Sequence, residues 1–252
     1  MFQPKLIVTD LDATALKNDK TLAPETIAAF AACKKAGIPT AIATARYIEG
    51  ARPFAEQLQA DYCILLDGTL VYEKDHIIYS NTMDVTTTNL MLQQLIHYHA
   101  LSHIAIPTTD GIYRYPEIAE GTPSKYLIDL DKPFPLPANK IVAEIPDSTI
   151  APKIATVCHC KQLRYRGEDR YTFFHQSASK LAAISCITQK LQIGLQDVLV
   201  FGDDSNDMEM IANCGYGVAM GNALDEVKAV ASEVTDTNEA NGVANVLFRF
   251  LA

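Results

Sequence analysis

No apolar run in the 252 residues approaches the roughly 18 that a membrane-spanning helix needs, so no membrane partner is expected. The apolar stretch within the first ten residues is interrupted at Asp10 and Asp12. No apolar core with a cleavage site follows it, and the expected location is cytoplasmic. Clusters of lysine and arginine are also missing. With a formal charge of −9 the chain has no basic face for nucleic acid. The six cysteines (33, 63, 158, 160, 186 and 214) are scattered along a chain too long to need a disulfide framework. Repeats of about 20–50 residues and low-complexity tracts are lacking too. Gly215-Tyr216-Gly217 is followed by its next glycine only at Gly221, which fails the dinucleotide fingerprint. His97, His99 and His103, and the run Cys158-His159-Cys160, fall short of a well-spaced zinc set.

What is present is an alternation of short apolar runs and helical patterns. Lys5 to Thr9, Pro39 to Thr44 and Tyr62 to Leu66 read as strands. Pro24 to Ala36, closed by Gly37, and Ile48 to Leu58 read as helices. The pattern returns late, with helix 180–191, strand 197–201, helix 206–212, strand 216–219 and helices 224–231 and 242–251. This order predicts an α/β fold built on a doubly wound, mainly parallel sheet. The middle differs. A helix over 86–100 precedes strands 104–107 and 112–115, and residues 116–137, rich in proline, are expected to be irregular. Strand 140–145, a helix over 150–160 and a hairpin of 163–167 with 170–175 follow. The pattern predicts an α+β insert at 83–173 in a core made of 1–82 and 174–252.

Open α/β sheets bind ligands beyond the carboxyl ends of their strands. Three polar groups fall at such ends: Asp10 with Asp12, Thr44, and the run Asp203, Asp204, Asn206 and Asp207. If the strands are parallel neighbours, the carboxylates converge. Packed carboxylates repel unless a cation lies among them, and an oxygen-only donor set suits Mg²⁺. Acidic residues at strand ends also cap helices. Two acidic clusters together with Thr44, and with Lys180 opening a later helix, exceed what capping requires.

Val8-Thr9-Asp10-Leu11-Asp12-Ala13-Thr14, Ala43-Thr44-Ala45-Arg46, Ser179-Lys180 and Gly202-Asp203-Asp204-Ser205-Asn206-Asp207 resemble, in order, the four motifs of the haloacid dehalogenase (HAD) superfamily. Gly217-Val218-Ala219-Met220-Gly221-Asn222-Ala223 and Thr235-Asp236-Thr237-Asn238 are similar to the tail of its Cof-like class IIB phosphatases. The resemblance spans nearly the whole chain and implies a Rossmann-like core with a C2 cap at the insert, which closes over the site and selects the leaving group. It implies a Mg²⁺-dependent phosphatase acting on a small phosphate ester such as a sugar phosphate. Asp10 is then the nucleophile that becomes an aspartyl-phosphate, and Asp12 the general acid and base. Two residues apart on an extended segment, both face the same side. Asp10, Asp203 and the Asp12 carbonyl hold the metal. Asp207 is a further ligand or a partner behind it. Thr44, Lys180, Asn206 and the N–H groups of Leu11 and Ala45 cradle the phosphate. Arg46 either meets substrate or braces its loop. A phosphosugar mutase or phosphotransferase with the same nucleophile, and a weakened phosphometabolite-binding protein, are the rival functions.

Four residues depart from the family pattern. Ala13 and Ala45 replace glycines, Leu181 stands where glycine is common, and Asp67 stands where asparagine is usual. A methyl at the first two is tolerated if φ stays negative. Asp67 adds negative charge to an anion site if it points inward.

Overall fold

The structure is a computed structural model in which residues 2–116 and 126–251 are described. The chain forms two compact units, Met1–Tyr79 with Ser179–Ala252, and Ser80–Ala178. These divisions fall three to five residues from the pattern-based boundaries at 82/83 and 173/174. The first segment runs β1 (Leu6–Thr9), α1 (Pro24–Lys35), β2 (Thr40–Ala43), α2 (Ile48–Leu58), β3 (Tyr62–Leu65), β4 (Leu70–Glu73) and β5 (His76–Ser80). The second unit contributes α3 (Val85–His97), β6 (Ser102–Pro107), β7 (Ile112–Tyr115), β8 (Ile141–Glu144), α4 (Ile150–Val157), β9 (Cys160–Arg164) and β10 (Arg170–His175). The chain then returns with α5 (Lys180–Leu191), β11 (Val198–Gly202), α6 (Met208–Asn213), β12 (Tyr216–Ala219), α7 (Asp225–Val230), β13 (Glu233–Val234) and α8 (Gly242–Leu251).

In the first unit eight strands lie in the order β13-β12-β11-β1-β2-β3-β4-β5. Pairings from β13 through to β3 are parallel, and β4 turns back antiparallel on β3. Every residue of β1, β2, β3 and β11 is buried. That explains why they read as continuous apolar runs, since parallel strands carry helices on both faces. Leu6, Ile42, Ile64, Phe201 and Phe30 centre this core.

The second unit is an antiparallel sheet ordered β7-β6-β8-β10-β9. Its own core gathers Met91 and Leu95 from α3, Ile154 from α4, and Ile104, Ile141 and Phe173 from the strands. The expected α/β class with a separate α+β unit is what the structure contains.

Two local expectations change. Strands β4 and β5 escaped the pattern reading, because a two-residue turn with Lys74 at φ 55° joins them and no glycine marks it. The helix expected over 150–160 stops at Val157, and Cys160 already begins β9. His159, at φ 49°, supplies the left-handed residue that usually falls to glycine. Of the stretch 116–137 expected to be irregular, residues 117–125 lie outside the described residues.

Candidate active site

Strands β11, β1, β2 and β3 are adjacent and parallel, so their carboxyl ends share one edge of the sheet. Asp10 follows β1, Thr44 follows β2, Asp67 lies just past β3, and Asp203 follows β11. Lys180 opens α5, whose amino end Ser179 caps by accepting the Ala182 N–H. The topology therefore assembles what the sequence scatters over two hundred residues.

Lys180 is the hub. Its Nζ lies 2.7 Å from Asp10 Oδ1 and 2.6 Å from Asp207 Oδ1, and its side chain is 1% exposed. Burial by itself would strip the proton from such an amine, but the charges of Asp10 and Asp207 hold its pKa above the ordinary lysine value. Asp207 uses its second oxygen to accept the N–H groups of Asp203 and Asp204, at 2.9 and 3.2 Å. Both its oxygens are engaged, so it orients Lys180 and fixes the turn after β11. A side chain at Gly202 would place its Cβ 2.5 Å from Asp207 Cβ, so only glycine permits this fold-back.

Asp10, Asp203 and Asp207 offer carboxylate oxygens within 4.8 Å of one another. Asp203 also accepts the Thr14 hydroxyl at 2.9 Å. Burial, followed by the neighbouring Asp207, pushes Asp203 up to about 7. Asp10 also rises well above the usual carboxylate range. Burial is the main cause, and Asp207 and Asp203 add to it against the pull of Lys180. Buried hard oxygens that repel one another suit a small divalent cation, and Mg²⁺ fits this donor set.

The segment after Asp10 turns back at Ala13, although Asp10 (φ −66°, ψ 163°) and Asp12 (φ −72°, ψ 125°) keep extended dihedrals. Ala15 N–H donates to the Asp10 carbonyl and Leu16 N–H to the Leu11 carbonyl, forming a wide helical turn over Leu11–Ala15. Ala13 sits inside it at φ 59°, in the left-handed region, so its methyl is not at the negative φ that would tolerate it freely. Because of the turn, Asp12 does not join the carboxylate cluster. Arg46 forks onto it, Nε to Oδ2 at 2.8 Å and Nη2 to Oδ1 at 2.7 Å. Lys20 Nζ adds a third bond at 2.9 Å. Burial raises Asp12, yet these bonds together bring it below the ordinary value. Arg46 also donates to the Gly50 carbonyl and stacks 4.9 Å from the Phe54 ring centre, so it braces its loop.

Leu11 is buried at the start of the turn, and Thr44 and half-buried Ala45 lie beside it at the end of β2. Thr44 Oγ1 accepts the Arg46 N–H. Leu181 lies in the first turn of α5, where its side chain packs on the core and no glycine is needed. Asn206 donates its amide to Asp67 Oδ1 at 3.0 Å. Asp67 is itself buried at φ 60°. Gly68 follows, and a Cβ there would fall on the backbone of Ser179 and Lys180. Its absence lets β3 deliver Asp67 against the start of α5.

Sequence reading gave no role to Thr14, Lys20, Asn222 and Asn238. Asn222 Nδ2 donates to the Ala13 carbonyl at 2.7 Å, and Asn238 Nδ2 to the Leu16 carbonyl at 3.0 Å. Their only signal was membership of motif-like tails, because the contacts span more than two hundred residues.

A family model of haloacid dehalogenase-like hydrolases matches residues 7–247. The chain is 27% identical over 249 residues to the 5-amino-6-(5-phospho-D-ribitylamino)uracil phosphatase YcsE of Bacillus subtilis (strain 168), covering 96% of this chain and 94% of that protein. It is 26% identical over 270 residues to the pyridoxal phosphate phosphatase YbhA of Escherichia coli (strain K12), covering 98% of each. A solved structure of a HAD subclass IIB sugar phosphatase superposes with a TM-score of 0.84 at 19% identity, covering 98% of both chains, a likeness of fold. The chain belongs to the haloacid dehalogenase-like hydrolases.

Proposed function

We propose that this protein is a Mg²⁺-dependent phosphatase of small phosphorylated metabolites, with Asp10 as nucleophile. The observation that carries the reading is the buried meeting of Asp10, Asp203 and Lys180 at the carboxyl edge of the sheet. A dianionic phosphate is repelled by a carboxylate nucleophile, so the site needs fixed positive charge and hydrogen-bond donors.

Asp10 Oδ attacks phosphorus, forming an acyl-phosphate while the ester P–O bond breaks. Asp12, freed from Arg46 and Lys20 and protonated from solvent as substrate enters, gives its proton to the departing alkoxide, then takes one from the water that cleaves the acyl-phosphate. Inorganic phosphate leaves and both carboxylates return to their starting states. Lys180 stays charged throughout and offsets the negative charge that builds between Asp10 and the phosphoryl oxygens. Thr44 and the N–H groups of Leu11 and Ala45 cradle those oxygens, and Asn206 adds its amide when it turns from Asp67. Asp10, Asp203 and the Asp12 carbonyl are the residues that would hold Mg²⁺, with Asp207 orienting Lys180 behind them. When bound, the ion neutralises the nucleophile and a phosphoryl oxygen together. The relatives named for phosphorylated ribitylaminouracil and pyridoxal phosphate support a small polar substrate. Residues 80–178 are the proposed specificity unit.

The test is phosphate release from a panel of phosphorylated sugars, cofactors and nucleotide precursors, with Mg²⁺ and with EDTA. Release from at least one ester that EDTA abolishes is expected. Failure to release phosphate from any of them overturns the reading. Product analysis separates hydrolysis from transfer to a sugar hydroxyl.

A further inference from the structure

Ala13 occupies a left-handed conformation that an alanine adopts only at a cost, and it lies between the proposed acid–base residue and Thr14, which holds Asp203. Something must keep it there. Among the described residues, the side chain that grips its carbonyl is Asn222, from the loop after β12. The orientation of that amide is itself fixed. The backbone N–H of Asn238 reaches Asn222 Oδ1 at 3.0 Å, and an N–H can only donate, so the oxygen must face Asn238 and the NH₂ must face Ala13. Asn238, 6% exposed, in turn ties the Leu16 carbonyl and Asn18 Oδ1 through its own amide. Two asparagines from the far end of the chain thus hold two carbonyls of the turn that separates Asp10 from Leu16.

We propose that Asn222, oriented by Asn238, is a positioning residue for phosphoryl transfer: it holds Ala13 left-handed so that Asp10, Asp12 and the Thr14–Asp203 bond keep one geometry. The proposal rests on the phosphatase reading above. Asn222 acts through the turn and touches neither substrate nor metal. If the turn relaxes, Ala13 returns to negative φ, and the residues on either side of it shift against each other. Substrate still enters the cradle of Thr44, Ala45 and Lys180, so binding survives while the chemical step suffers. A small misplacement at a reacting centre is costly because rate depends steeply on near-attack geometry.

Asn222→Ala and Asn222→Asp are the test variants. The aspartate keeps the shape but replaces the donor facing Ala13 with an acceptor. Both are expected to lower kcat about tenfold or more, with KM for a phosphate ester changed less than about threefold, in enzyme that remains folded by circular dichroism. Ala13→Gly is the decisive second change, because glycine holds the left-handed turn without a brace. In the double variant Asn222→Ala/Ala13→Gly most of the lost kcat should return. The same pair should be coupled in thermal melting, with Asn222→Ala lowering Tm less when residue 13 is glycine. A fall in Tm with kcat intact would make the brace purely structural and overturn the proposal. So would a kcat loss that glycine at 13 does not repair. A wild-type protein inactive on every ester would instead defeat the phosphatase reading. The melting cycle would still judge the grip on Ala13.

Discussion

Asp10→Asn keeps the shape of the proposed nucleophile and one acceptor for Lys180 but cannot form the acyl-phosphate. Turnover should fall at least a thousandfold, to the limit of a phosphate-release assay, with an unchanged circular dichroism spectrum. Asp67 makes a subtler prediction. Its side chain is buried beside the proposed phosphate cradle and accepts the Asn206 amide. Asp67→Asn removes a carboxyl group from beside the proposed anion site and weakens that hold. KM for phosphate esters and the inhibition constant of inorganic phosphate should both drop severalfold. Unchanged constants would show that Asp67 does not oppose phosphate. Ala13→Gly alone relieves a left-handed alanine and should stabilise the protein by about 1 kcal/mol, read as a rise in Tm.

At the scale of elements, the site depends on where two secondary structures begin and end. Helix α5 must start at Lys180, and Ser179 sets that start through its bond to Ala182 N–H. Ser179→Ala should cost about 1 kcal/mol of stability, measured by denaturant unfolding, and lower kcat/KM because Lys180 loses its fixed origin. Strand β11 must end at Gly202, where Asp207 folds back. A residue with a Cβ there displaces Asp207 and with it Lys180, so Gly202→Ala should cripple activity more than its small volume suggests. Much of this level was readable in advance. The apolar runs of β1, β2, β3 and β11 announced themselves because parallel strands are buried on both faces. The β4–β5 hairpin did not. In β5, His76, Ile77 and Ser80 are exposed and only Ile78 and Tyr79 pack partly on the core, so burial imposes no alternating pattern, and the turn uses Lys74 instead of glycine.

For the whole molecule, the buried carboxylates predict linkage between metal and stability. Mg²⁺ added to metal-free protein should raise Tm progressively as the ion occupies the Asp10–Asp203 site. In Asp203→Asn the metal-free Tm should hold or rise, because one of the repelling buried charges is gone, while the Mg²⁺-dependent rise should disappear. A similar rise in both proteins would place the cation elsewhere. The thiols offer a separate check on both cores. Burial pushes Cys33, Cys63 and Cys158 up to about 11, and Cys160 and Cys214 to about 12. A raised thiol pKa leaves almost no thiolate at pH 8, so alkylation of the folded protein there should be slow. It should quicken as pH climbs toward 11 and become rapid at pH 8 only in denaturant.

The sequence alone determined the alternation of strands and helices, the presence of an insert, and the order of the four polar motifs. Those features rest on local chemistry: apolar runs that must be buried, caps that start helices, and carboxylates placed at strand ends. Tertiary structure decided which of those polar groups meet. Parallel pairing of β1 with β11 set Asp10 beside Asp203, and the fold-back of Asp207 gave Lys180 its second partner. Within the wide turn over Leu11–Ala15, Asp12 meets Arg46 and Lys20 and stays outside the cluster of Asp10, Asp203 and Asp207. Asn222 and Asn238 gripped that turn from the other end of the chain. No local pattern could foretell these pairings, since hydrogen bonds and ion pairs reach only a few ångströms and depend on neighbours that the fold, not the sequence order, brings together.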